Sequence, residues 1–72
     1  AECPSSMREA MFAKWRQALL DIGFMTPDTA DHMMLGIRRI LSRGPLTEKD
    51  VQILLGMAAQ TQWAAGHIPQ KS

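Results

Sequence analysis

The chain has 72 residues, 46% of them hydrophobic and 21% charged, with a formal net charge of +1. That composition suits one small globular domain, which buries only about 60% of its unfolded surface. It excludes a membrane span, which takes ~20 consecutive apolar residues, and a uniformly basic nucleic-acid binder. A single cysteine, Cys3, excludes an internal disulfide, and with His32 and His67 it makes no metal-ligand spacing. The chain opens Ala1-Glu2-Cys3-Pro4, without an initiating Met or a charged-then-apolar leader. It is therefore expected to be a piece of a longer protein, with the cytoplasm as its compartment.

Breakers divide the sequence into three expected helices, and an all-α fold follows. The first spans about Met7 to Ile22. Ser6 stands at the N-cap position with Glu9 three residues on, the pattern of a reciprocal capping box. Met7, Met11, Trp15, Ala18 and Ile22 recur at helical spacing, with Phe12 and Leu19 on the same side. Gly23 is placed for a left-handed C-terminal cap, and Phe24 is expected to fold back onto the helix. Pro27 and Asp28 read as turn residues.

The second helix is expected from about Ala30 to Ser42, capped by Thr29 or Thr26. Its apolar face is Met33, Met34, Ile37, Ile40 and Leu41, and Gly44-Pro45 ends it. The third has Thr47 as cap, Glu48 and Asp50 in its first turn, and Leu46 placed to staple onto Val51. Val51, Leu54, Leu55, Ala58 and Ala65 form its inward stripe, with Gly66 at the end. Gly56 inside this helix suggests that another helix crosses closely there. The expected organisation is a linker over residues 1–5, a three-helix unit over 6–66 and a tail over 67–72. No run alternates long enough for a strand.

Little in the sequence supports catalysis. Most acids sit where caps and first turns want them, and Asp28, Asp31 and His32 read as turn, helix start and exposed residue. Cys3 has no neighbouring base. Among the apolar residues, the six methionines are expected mainly to fill the core, and Trp15 and Trp63 to cover its ends with their N–H groups at the rim. The charge distribution says more. Arg38, Arg39 and Arg43 lie in the last turns of the second helix, with Asp31 the one acid between Ala30 and Leu46. Arginines there either complement the helix dipole or contact phosphates, for which a planar, multi-donor guanidinium is suited.

The order of the pieces resembles a known family. Leu20-Asp21-Ile22-Gly23-Phe24, then Met34-Leu35-Gly36-Ile37-Arg38-Arg39-Ile40-Leu41-Ser42-Arg43, then Leu46-Thr47-Glu48-Lys49-Asp50-Val51-Gln52-Ile53-Leu54-Leu55-Gly56 follow one another. This looks like the C-terminal extension of TrmJ-type tRNA 2′-O-methyltransferases, of the SpoU/TrmH group in the SPOUT superfamily, over about residues 11–64. The resemblance implies a parent enzyme that methylates a tRNA ribose with S-adenosylmethionine, as a homodimer, in a preceding knotted domain. It implies no cofactor and no catalytic residue in this chain, and it makes Arg38, Arg39 and Arg43 the candidate RNA contacts.

Two other readings stay open from the residues themselves. One is a helical protein-interaction or dimerisation module that presents Met33, Met34 and Ile37. The other is a fragment of a helix-turn-helix DNA-binding protein, because Leu46-Thr47-Glu48-Lys49-Asp50-Val51-Gln52-Ile53-Leu54 resembles the opening of a LuxR-type module. Only six residues follow Gly66, too few for that module's remaining helices.

Overall fold

The computed structural model describes residues 4–67; the expected linker's first residues, Cys3, and the tail beyond His67 lie outside the described residues. Its elements are α1 (Ser5–Asp21), α2 (Pro27–Leu41) and α3 (Glu48–Ala65), an all-α arrangement as the hydrophobic spacing predicts. The helix ends follow from local chemistry. Pro4 stands at the N-cap of α1 and makes no side-chain cap, so Ser6 lies inside the helix and the expected Ser6–Glu9 box is not formed. Gly23 ends α1 at φ 79°, and the Gly23 and Phe24 amides donate to the Leu20 and Leu19 carbonyls at 3.1 and 2.9 Å. Those two bonds are a Schellman motif, which a left-handed glycine permits at no steric cost.

α2 starts earlier than the spacing suggests. Thr26 is its N-cap, with its amide donating to Thr29 Oγ1 at 3.1 Å, and Pro27 takes the first helical position. A missing N–H costs nothing there, so Pro27 belongs to the helix and not to the turn. The helix stops at Leu41, before Gly44, and Gly44 adopts no positive φ. Thr47 caps α3 as expected: the Thr47 amide donates to Asp50 Oδ2 at 3.0 Å and the Asp50 amide to Thr47 Oγ1 at 3.1 Å. These bonds favour the ionised carboxylate and hold the Asp50 pKa below its ordinary range.

α1 is the central element. α3 packs along it extensively and α2 more sparsely, while no Cα of α2 comes within 8 Å of one in α3. Met11, Phe12, Met25, Ala30, Met34 and Val51 form the buried core, with Ala18 and Ala58 also buried. Three of the six methionines are thus core filling. The broad stripes expected from spacing are narrower in the fold. Ile22 and Ile40 are exposed, and Leu54 and Leu55 are half-buried. A helix that packs closely on one neighbour covers one stripe, and its flanks stay wet. Trp15 keeps its N–H buried without an acceptor, not at the rim. Trp63 is exposed and stacks on His67 at 4.0 Å between ring centres, with His67 Nδ1 2.7 Å from the Trp63 carbonyl.

Because α2 packs on α1 sparsely, polar pairs matter to its placement. Glu9 pairs with Arg38, and Arg16 with Asp31. Glu9 and Arg16 lie two turns apart on α1, as Asp31 and Arg38 do on α2, so the pairs define an antiparallel register.

No helix crosses at Gly56, contrary to the expectation from sequence: a Cβ built there meets nothing within 4 Å. The glycine therefore only weakens the helix. Gly56→Ala should stabilise the domain by about 0.5–1 kcal/mol, seen as a higher melting temperature. A lower melting temperature would mean that something packs at that position.

Candidate nucleic-acid interface

The three arginines of the expected cluster do not share one environment. Arg38 faces α1: its Nη1 and Nη2 donate to Glu9 Oε2 and Oε1 at 2.7 and 2.6 Å. The guanidinium carbon also stands 4.5 Å from the centre of the Phe12 ring. A planar fork suits both contacts, a bidentate carboxylate and an aromatic face. The pairing shows in the protonation equilibria. The hydrogen bond from Arg38 holds the Glu9 carboxyl below its ordinary pKa, and the same bond raises the pKa of Arg38. Arg38 is thus a clip between α1 and α2, and its donors already have an acceptor.

Arg39 and Arg43 are exposed and make no ion pair or side-chain hydrogen bond among the described residues. Arg43 lies beyond the end of α2, in the connection to α3, beside an open cavity of about 410 Å³. Arg8, from the first turns of α1, lines the same cavity, with Leu41, Gly44, Pro45 and Leu46 around it. Sequence reasoning misses Arg8. It stands far from the arginine cluster along the chain, and only the packing of the α1 start against the α2–α3 connection brings it near.

A second concavity is apolar. It opens where α2 and α3 stay apart, holds about 460 Å³, and is lined by Trp15, Phe24, Met33, Ile37, Ile40 and Leu54 among others. Met34, expected to be presented with Met33 and Ile37, is buried in the core and is not part of it.

Four of the carboxylates are engaged structurally. Glu9 holds Arg38, Asp31 accepts from Arg16, Asp21 from Gln17, and Asp50 caps α3. No group of three or more His, Cys, Asp or Glu gathers among the described residues. No helix among them is long and apolar enough to cross a membrane.

Comparison with known proteins gives the family. The family described as "tRNA methyltransferase TrmJ, C-terminal domain" matches residues 6–70. The chain belongs to the TrmJ C-terminal domain family. It is 32% identical over 63 residues to the tRNA (cytidine/uridine/adenosine-2′-O-)-methyltransferase TrmJ of Pseudomonas aeruginosa. That match covers 88% of this chain and 24% of the relative, so the chain spans about a quarter of that protein's length. No solved structure gives a significant match. Of the segments that carry the resemblance, Ile22-Gly23-Phe24 forms the Schellman end of α1, and the arginine-bearing one is α2, where Glu9 takes Arg38.

Proposed function

We propose that this TrmJ C-terminal domain helps an S-adenosylmethionine-dependent tRNA ribose 2′-O-methyltransferase hold its RNA. In this reading catalysis belongs to a preceding knotted domain, and the longer enzyme works as a homodimer in the cytoplasm. The observation that carries the reading is the pair Arg39 and Arg43. Both are exposed and unpaired among the described residues, on a domain whose relative is named for tRNA methylation. Guanidinium groups in that state are free to meet phosphate oxygens.

In this reading the cofactor, too, belongs to the preceding domain. The apolar groove beside Trp15 and Leu54 is lined almost wholly by apolar atoms, which offer nothing to ribose hydroxyls or an amino-acid group. The cavity beside Arg8 and Arg43 would set cations against a sulfonium. No step of methyl transfer is therefore assigned to these residues.

The test uses the longer enzyme that carries this domain. Arg39→Gln with Arg43→Gln should weaken tRNA binding and flatten its salt dependence, by about 0.7–0.9 in the log–log slope for every phosphate no longer neutralised. The melting temperature should stay near wild type, because neither side chain gives up a partner within the domain. An unchanged affinity and slope would leave the arginines as helix-end cations and end the reading.

A further inference from the structure

We infer that Arg8 and Arg43 form one phosphate-binding cavity, the point at which a single backbone phosphate of RNA docks on this domain. The inference rests on the RNA-holding reading above and adds a residue, a place and a stoichiometry to it. The two arginines come from distant parts of the chain, the start of α1 and the α2–α3 connection, yet line the same cavity of about 410 Å³. Among the described residues no acid lines it, and neither arginine has an ion pair.

The helix dipole accounts for Arg43, which follows a helix C-terminus, but not for Arg8. Arg8 lies in the first turns of α1, the positive end of a helix, where a cation is disfavoured. α1 has no acid in its first turn to offset it. The neighbouring carboxylate, Glu9, feels the charge of Arg8 only as a minor influence and gives both of its oxygens to Arg38. An anion between Arg8 and Arg43 would offset that unfavourable placement. The backbone adds donors. The amides of Arg43, Gly44 and Leu46 donate to no acceptor among the described residues, and all three residues line the cavity. A phosphate diester presents oxygens for guanidinium and amide donors alike. Half-buried Leu41 and Leu46 border the cavity and limit the water around such contacts.

The experiment measures binding of a short oligouridylate to the 72-residue chain at several salt concentrations. It compares wild type with Arg8→Gln, Arg43→Gln, the double variant, and Lys14→Gln as a cation outside the cavity. Each arginine variant should bind about three- to tenfold more weakly. Because the two groups share one phosphate, the slope should fall by about 0.7 in the double variant, not by twice that. The double variant should therefore bind little worse than either single one. Lys14→Gln should stay near wild type, and thermal melts should overlay. A wild-type affinity for Arg8→Gln, with Arg43→Gln still weakening the RNA, would overturn the cavity and leave the broader reading standing. Equal losses of affinity from Lys14→Gln would also overturn it, as diffuse attraction. If no arginine variant changed RNA binding, the broader reading and the cavity would fall together.

Discussion

Phe12→Ala is expected to remove a large share of the domain's stability. Phe12 is 2% exposed and is the largest of the fully buried side chains, alongside Met11 and Val51. Removing a buried phenyl group typically costs about 3–5 kcal/mol, from the transfer energy forfeited and the cavity left behind. A domain of this length has a total stability of roughly 4–10 kcal/mol at the usual range per residue, so the loss takes a large share of it and, toward the lower end, all of it. Phe12 also supports the Arg38 guanidinium, and its removal loosens α2 as well as the core. Leu54→Ala should cost nearer the lower end of about 2–5 kcal/mol, because Leu54 is only half-buried and borders the open groove. Chemical denaturation followed by circular dichroism ranks the two. If Leu54→Ala proved the more damaging, the core would centre on the α1–α3 seam beside the groove and not on Phe12.

Arg38→Glu is the second large effect. It sets a carboxylate against Glu9, where two charge-assisted bonds join α1 to α2 in the wild type, and it removes the cation from Phe12. The melting temperature should fall clearly below that of Arg38→Gln, which loses attraction without adding repulsion. Swapping the pair, Glu9→Arg with Arg38→Glu, should recover the ion pair but not the cation over the ring. Recovery should fall short by about 0.5–1 kcal/mol, the worth of an exposed cation–π contact. Acid gives an independent readout. Glu9 has its pKa lowered below the ordinary 4.5, first through the hydrogen bond from Arg38. A carboxyl with a lowered folded pKa adds stability that is fully present above its ordinary value and is lost as pH falls through the folded one. That acid limb should shrink in Arg38→Gln, while the limb owed to Asp50 and its Thr47 bonds stays. Identical melts for Arg38→Glu and wild type would mean that the clip does not hold α2.

This structural duty changes how the arginine cluster has to be probed. A substitution at Arg38 would disturb α2 and lower RNA binding by an indirect route. Arg39 and Arg43 test the interface without that confusion, since neither has a partner among the described residues.

Sequence alone determined what depends on a few neighbouring residues. The Thr47 cap, the left-handed Gly23 with its Schellman bonds, and three helices with no strand among the described residues could all be read from it. The caps arise from interactions within about five residues, so their chemistry is written in consecutive letters. The family's motif order could be read for the same reason. Glu9 marks where such reading stops. Its spacing from Ser6 suggested a local cap, yet its partner is Arg38, 29 residues away. Both Glu9 oxygens go to that guanidinium, and the competition between a local amide and a distant cation is decided by helix register. That register follows from how Phe12, Ala30 and Met34 fill the space between α1 and α2, which no spacing of letters states. The same packing decided that Arg38 is engaged while Arg39 and Arg43 have no partner among the described residues, and it set Arg8 on the same cavity as Arg43. Side chains on one helix face look equivalent until the neighbouring helix shows which of them it covers.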